Sequence, residues 1–187
     1  MVSGPSRLRP EVRVAFLRGI NVGTAKRVSM ASLRQLLEDL GYADVRTLLN
    51  SGNVVFTAGR AGGAEIADRI HKAVASRLGV TSRVIVLSAG ELAEALDENP
   101  LAEGLDNPSR LLIMVLADAS TRKRLASITR ERWTPEAVAL GRRAAYLWCP
   151  DGLAKSPLVA ATTRAVGEDG TARNLATMSK LRAMVGT

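Results

Sequence analysis

Apolar residues follow two different spacings along the first half of the chain, and each change of spacing marks a new element. The run VRVAFLRG at 12–19 is rich in β-branched residues and predicts a strand. Across 30–40 apolar residues recur at steps of three and four, between a serine and a glycine typical of helix ends, and predict a helix. The segments DVRTLL (44–49) and NVVFTA (53–58) predict two strands that are joined by the hairpin turn NSG.

A second helix and a fourth strand complete this half of the chain. Ile66, Ile70, Val74 and Leu78 stand four residues apart before a glycine, which predicts a helix that ends there. The segment SRVIVLS then predicts a strand. The order β-α-β-β-α-β over 12–88 is that of a ferredoxin-like split βαβ unit.

The second half of the chain begins with the same order of elements. The predicted elements are a short helix stopped by Pro100, a strand at 110–118, a helix at 119–130, a hairpin over 136–150 and helices at 152–166 and 172–185. We therefore predict an α+β fold of two ferredoxin-like subdomains with antiparallel or mixed sheets, packed as one unit, plus C-terminal helices. Residues 1–11 are predicted to form a flexible N-terminus, 12–88 the first subdomain and 89–187 the second.

Composition places the chain among globular proteins. Its 187 residues are 47% hydrophobic, which suffices for one full core or two small ones. Cys149 is the single cysteine, so no intrachain disulfide forms. The opening MVSGPSRLRP lacks the apolar stretch of a secretory signal, and no apolar run has the length of a membrane span. We predict a cytoplasmic protein with no membrane partner.

The net charge of +8 is distributed unevenly. Such a balance attracts polyanions or acidic ligands, although an arginine-rich composition also reflects a GC-rich genome. An acidic segment, 88–109, precedes a basic segment, 119–146. The acidic segment contains Glu91, Glu94, Asp97, Glu98, Glu103 and Asp106, and the basic segment contains Arg122, Lys123, Arg124, Arg130, Arg132, Arg142 and Arg143.

The loop RGINVGTAKRVS at 18–29 is the first candidate site. It combines two glycines, an amide side chain and cations ahead of a helix, and backbone N–H groups in such a turn suit an oxyanion. The spacing matches neither a Walker loop nor G-x-G-x-x-G, and a plain strand-to-helix turn is the alternative interpretation. The residues of this candidate site are Arg18, Gly19, Asn21, Gly23 and Lys26.

The turn in NSGNVVF is the second candidate. A hairpin needs only one or two turn residues, yet Ser51 and Asn53 surround Gly52 here. In a ferredoxin-like unit the first and third strands are adjacent and antiparallel, so this turn should lie beside Arg18. An Asx-type turn whose side chains form only local hydrogen bonds is the alternative.

The segment TARNLATMSKL (171–181) is the third candidate. In a helix that starts near Arg173, the side chains of Arg173, Thr177 and Lys180 lie on one stripe beside an apolar face. Two cations and a hydroxyl in that arrangement suit a phosphate or carboxylate. A solvated helix flank is the alternative.

The usual catalytic residue sets are missing from the sequence. A Ser-His-Asp triad would have to use His71, because it is the single histidine. His71 is predicted to be a solvated surface residue. Cys149 ends an apolar strand and is predicted to be a buried, inert thiol. Zinc and iron sites lack ligands, and we predict no metal and no cofactor.

Four motifs, in this order, carry a resemblance to a known family. The chain reads LRGINVG, SGNVVF, CPDGLAKSPL and TARNLATMSKL, and in this it resembles the bacterial family called domain of unknown function 1697. The resemblance implies two α+β subdomains with ferredoxin-like elements and no established activity. The positions that match the family's motifs include the candidate residues named above and also Asn174. The resemblance therefore favours one site formed by all three segments.

The chain departs from the family's pattern at two positions. The family commonly has a glutamine before S-G-N and a tryptophan after R-N, where this chain has Asn50 and Leu175. The leucine in place of tryptophan argues against a site in which a ring-bearing ligand stacks on an aromatic side chain. Lys155 and Ser156 in the third motif either contribute to the edge of the site or serve only as a turn residue and a helix cap.

Three functions follow from these observations, in this order of preference. The first is binding of a small anionic ligand, such as a phosphate- or carboxylate-bearing metabolite, in a basic, glycine-lined site, with or without enzymatic turnover. The second is a nucleic-acid-binding module, which the charge favours and the 3% of aromatic residues does not. The third is an oligomerisation domain in which the acidic and basic segments meet in trans. The sequence does not determine the oligomeric state.

Overall fold

The structure, a computed structural model, describes residues 10–22, 27–59, 61–103 and 105–186. The chain divides into two compact units, with the division between Ala89 and Gly90. Each unit contains one four-stranded antiparallel sheet.

The first unit has the element order that the sequence predicts. Its elements are β1 (Glu11–Leu17), α1 (Met30–Asp39), β2 (Ala43–Leu48), β3 (Asn53–Ala58), α2 (Gly63–Leu78) and β4 (Val84–Ser88). The strands lie in the order β2-β3-β1-β4, so β1 and β3 are the two central strands. The register pairs Phe16 with Asn53, and the end of β1 therefore lies beside the start of β3.

Local sequence explains the helix ends of this unit. The Ser29 hydroxyl accepts a hydrogen bond from the Ser32 N–H and caps α1, as its position before the apolar repeat predicts. Gly79 ends α2 in the left-handed conformation that glycine adopts readily. The apolar residues of both helices pack against one face of the sheet in a core that contains Leu33, Leu37 and Ile70.

The second unit contains the remaining elements. They are α3 (Ala89–Asp97), β5 (Leu111–Leu116), α4 (Ala119–Arg124), β6 (Ala137–Leu140), β7 (Ala144–Trp148), α5 (Pro157–Val166), β8 (Gly170–Asn174) and α6 (Leu175–Val185), with one-turn 3₁₀ helices at Pro108–Arg110 and Ile128–Arg130. The strands lie in the order β6-β7-β5-β8, which is the order of the first sheet. Leu112, Leu147 and Leu158 belong to its core.

One predicted element of this unit is wrong. Residues 170–174 form β8, which pairs with β5, whereas the sequence analysis starts a helix near Arg173. The helix begins only at Leu175, because the Asn174 side chain accepts a hydrogen bond from the Thr177 N–H and caps it. Arg173 is therefore a strand residue and does not share a helical stripe with Lys180.

The predicted fold class is confirmed at the level of two α+β units, each with an antiparallel sheet. The ferredoxin-like classification, the packing of both subdomains as one unit and the three domain boundaries stay predictions. None of the helices in the described ranges combines the length and hydropathy that a membrane crossing requires.

Cys149 follows β7 and is fully buried, as predicted. Burial raises the pKa of its thiol to about 11, although the Ser156 hydroxyl within hydrogen-bond distance acts in the opposite direction. At pH 8 the thiolate fraction should therefore be about 100-fold lower than for an ordinary thiol, and the group is also shielded. We expect negligible reaction with a thiol reagent in the folded protein and rapid stoichiometric reaction in denaturant. Fast labelling of the folded protein at pH 8 would contradict this assignment.

Candidate functional site

The loop after β1 and the turn between β2 and β3 lie against each other at one end of the first sheet. The N–H of Leu17 donates to the Gly52 carbonyl at 2.8 Å. A methyl group on Gly52 would lie only 2.7 Å from Ile20 Cδ1, so the turn backbone packs directly on the loop. We call residues 18–22 the β1 loop and residues 49–53 the hairpin turn.

The side chain of Asn21 joins the two segments. Its Nδ2 donates to the carbonyls of Asn50 at 2.8 Å and Val28 at 2.9 Å, and its Oδ1 accepts from the Val28 N–H at 2.7 Å. Both ends of the amide are therefore used to hold the β1 loop to the turn and to the segment before α1. In this structure Asn21 positions the loop backbone.

The backbone of both segments enters the left-handed region repeatedly. In the β1 loop φ is +67° at Gly19 and +58° at Asn21, and Ile20 between them has no positive φ. Where right-handed and left-handed residues alternate along a chain, successive N–H groups turn toward one side and form a concavity that suits an anion. In the hairpin turn φ is +58° at Leu49 and +74° at Gly52.

Arg18 is the cation at the start of the β1 loop, and its backbone is fixed on both sides. Its N–H donates to the Arg83 carbonyl at 2.9 Å, and its carbonyl accepts from the Ser82 hydroxyl at 2.9 Å. The side chain is half-buried. The predicted proximity of Arg18 to the hairpin turn follows directly from the register of β1 and β3.

His71 is more constrained than the predicted surface residue. Its Nδ1 lies 2.7 Å from the Ser82 carbonyl, and the ring is half-buried. Because a carbonyl only accepts, Nδ1 carries the proton in this contact. The helical pattern places His71 on the polar side of α2 but does not show that the segment before β4, which contains Ser82, covers that side.

The side chains of the hairpin turn hydrogen-bond within the turn. Asn53 is fully buried, and its Nδ2 donates to the Leu48 carbonyl and to the Ser51 hydroxyl, each at 3.0 Å. These contacts are local hydrogen bonds, as in the structural alternative, but Asn53 donates in both of them, whereas an Asx-type turn uses the side-chain oxygen as an acceptor. Ser51 is half-buried in the middle of the turn.

The third candidate segment lies in the second unit. Arg173 donates from Nη1 to the Thr171 hydroxyl at 3.0 Å and to the Ala172 carbonyl at 2.8 Å, and burial lowers its pKa to about 10. Asn174 caps α6, Thr177 is buried and Lys180 is exposed.

Gly23 and Lys26 of the first candidate lie outside the described residues. Ser156 caps α5, in line with the structural alternative for the third motif.

A sequence profile of proteins of unknown function, DUF1697, matches residues 11–146 of this chain. The chain belongs to this family. The match contains the β1 loop and the hairpin turn and ends before the motifs at 149–158 and 171–181. The family carries no named activity, so it leaves the function to be argued from the site.

A solved structure shows the same fold. The conserved bacterial protein SP0830 from Streptococcus pneumoniae is 23% identical to this chain, with a TM-score of 0.73 over 95% of this chain and 99% of that one. At this identity the likeness concerns the fold alone. No curated protein matches the chain.

The acidic and basic segments meet within the chain. Around α3, Arg142 pairs with Glu94 and Glu98, and Arg143 pairs with Glu91 at 3.1 Å. The backbone N–H and guanidinium of Arg142 hold the pKa of Glu98 below its ordinary value. Arg142 and Arg143 therefore have acidic partners within the chain, and a contact in trans between the two segments stays a prediction.

Pairing of basic side chains within the chain also reduces the charge that the basic segment offers to a nucleic acid. Arg124, for example, pairs with Asp169 at 2.8 Å and also donates to two carbonyls at the end of α5. Phosphate tracking needs exposed cations that are available for counterion exchange. This geometry favours neither the nucleic-acid module nor the oligomerisation domain.

A cleft of about 230 Å³ lies at the opposite end of β3, near Ala58, and the sequence analysis does not mention it. Arg69 lies there with its guanidinium 5.7 Å from the centre of the Tyr42 ring and donates to the Leu40 carbonyl. Burial raises the pKa of the Tyr42 hydroxyl. Because the arginine is held by the protein's own groups, the cleft is the weaker candidate.

Within the described ranges, no three histidine, cysteine, aspartate or glutamate side chains form a group that could hold a metal ion.

Proposed function

We propose that the protein binds a small anionic molecule, with a phosphate or carboxylate group, at the β1 loop and the hairpin turn. The observation that carries this proposal is the alternating left-handed backbone at Gly19 and Asn21 directly after Arg18. The N–H groups of such a loop and the guanidinium next to it supply the two kinds of donor that an oxyanion uses.

Rigidity of the loop supports the proposal. The Asn21 side chain makes three hydrogen bonds that hold the loop, and the Arg18 backbone is hydrogen-bonded to Ser82 and Arg83 in the segment before β4. Donors that are already oriented bind an anion without a further ordering cost. The proposed contacts are the backbone of 19–22, the Arg18 guanidinium and the Ser51 hydroxyl, with Gly52 and Asn53 shaping the turn.

The proposal is for binding, with turnover as an extension. If the bound molecule reacts, donors aimed at an oxyanion would stabilise negative charge as it develops. Arg173, Asn174, Thr177 and Lys180, together with Gly23 and Lys26, stay predicted ligand contacts.

We expect Arg18→Ala to weaken phosphate binding by about 10- to 100-fold, because a charge-assisted hydrogen bond contributes about 1.5–3 kcal/mol. The measurement is a titration of ¹⁵N-labelled protein with inorganic phosphate, followed through the amide signals of Gly19, Ile20 and Asn21. The backbone hydrogen bonds of Arg18 are unchanged in this variant, so its melting temperature, measured alongside, reports any stabilising contact of the side chain separately from phosphate binding.

The matched control is Arg34→Ala. Arg34 is exposed on α1 in the same unit and donates to the Thr47 hydroxyl, so its removal changes the net charge equally. We expect the control to bind phosphate within about twofold of wild type, because an exposed charge that does not touch the bound ion is screened by salt. Equal losses in both variants would show a general charge effect and contradict the proposed site.

A further inference from the structure

Two large apolar side chains are exposed at the candidate site. Val22 is 66% exposed and Leu49 is 55% exposed, and these are the exposed large hydrophobic residues of the described chain. One hydrogen bond joins their neighbours in the chain, because the Asn21 side chain donates to the Asn50 carbonyl. Val22 directly follows Asn21, and Leu49 directly precedes Asn50. The apolar surface and the anion-binding loop therefore occupy the same end of the sheet.

The backbone at Leu49 holds its side chain in this position. With φ at +58°, Leu49 has a conformation that costs a non-glycine residue about 1 kcal/mol or more. Asparagine or glycine would fit this turn without that cost and would not expose an apolar side chain. A strained residue that also exposes an apolar group to water has no stabilising role in the folded chain, and such outliers cluster at binding sites.

We infer that the anion bound at the β1 loop carries an apolar group, and that this group packs on Leu49 and Val22. The inference rests on the proposed function and specifies its ligand class as a soluble organic phosphate or carboxylate with an aliphatic or similarly apolar substituent. The charged end lies on the N–H groups of 19–22 and the Arg18 guanidinium. The apolar end covers the two exposed side chains and removes their surface from water.

The test compares two probes that share one headgroup, inorganic phosphate and hexyl phosphate, on the full chain. Burial of about 60 Å² of apolar surface corresponds to roughly tenfold in affinity, so hexyl phosphate should bind wild type about tenfold more tightly. In Leu49→Asn, which tolerates positive φ, this ratio should fall toward one. In Leu49→Met, which keeps an apolar side chain with the same backbone, the ratio should stay near ten.

The outcomes separate this inference from the proposed function. Equal binding of both probes by wild type overturns the inference and leaves the anion site standing. An unchanged ratio in Leu49→Asn also overturns it, since the apolar group then packs elsewhere. Binding of neither probe overturns the proposed function itself. Sedimentation with vesicles of phosphatidylglycerol and phosphatidylcholine, without binding of hexyl phosphate, assigns the apolar anion to a lipid surface and overturns the soluble ligand.

Discussion

Replacement of Gly52 by alanine should lower the free energy of unfolding by about 3 kcal/mol, a loss of roughly 6–12 °C in melting temperature for a chain of this size. Two costs combine at this position. The φ of +74° is unfavourable for alanine by about 1 kcal/mol. The added methyl group would lie 2.7 Å from Ile20 Cδ1 and 2.8 Å from Leu17 Cβ, and overpacking of this kind costs about 1–3 kcal/mol.

Gly19 provides a matched control for this experiment. It has a similar φ of +67°, but a methyl group there would meet no heavy atom within 4 Å. Gly19→Ala should therefore lose only the conformational cost, about 1 kcal/mol. Denaturant unfolding of both variants measures the difference directly. Equal losses would show that the hairpin turn does not pack on the β1 loop as described.

Replacement of Asn21 by glycine should lower the free energy of unfolding by about 2–3 kcal/mol and weaken phosphate binding at least tenfold. Glycine keeps the positive φ at no steric cost, so the change isolates the side chain. Three hydrogen bonds, each worth about 1 kcal/mol, are lost, and the buried Val28 N–H loses its acceptor. The β1 loop then has to be ordered by the ligand, which reduces affinity.

Asn21→Asp separates the acceptor role of Asn21 Oδ1 from the donor role of Nδ2. The aspartate keeps an acceptor for the Val28 N–H but replaces Nδ2 with an oxygen that faces the carbonyls of Asn50 and Val28, so its stability should be no higher than that of Asn21→Gly. Its carboxylate also repels an anion, and phosphate binding should fall at least as far as in Asn21→Gly. Urea unfolding and phosphate titration of the three proteins provide the comparison. A wild-type stability for Asn21→Gly would contradict the role of Asn21.

Elements with strong local signals are found where the sequence places them. The strand predicted at 53–58 is observed as Asn53–Ala58, and α1 begins after the predicted cap Ser29. Strand β8 was missed because GTARN lacks an alternating pattern and runs directly into a helical one. The pairing of β8 with β5 is a tertiary interaction that no local pattern reveals.

The candidate site was only partly accessible from sequence. The antiparallel order of elements sufficed to place Arg18 beside the hairpin turn. The hydrogen bond from Asn21 to Asn50 spans 29 positions and has no local signature, so the sequence predicts a ligand contact or a plain turn at Asn21 but not this contact with the hairpin turn. Leu49 was predicted to be in the strand 44–49, but β2 ends at Leu48 and Leu49 adopts a left-handed conformation in the turn. Apolar strand ends resemble core residues, and its exposure therefore went unnoticed.

A crystal structure of the protein grown with inorganic phosphate tests the central claim most directly. The account predicts a phosphate ion at the β1 loop, about 3 Å from backbone nitrogens of 19–22 and from the Arg18 guanidinium. A phosphate ion bound instead at the Tyr42 and Arg69 cleft, with the β1 loop empty, would contradict it.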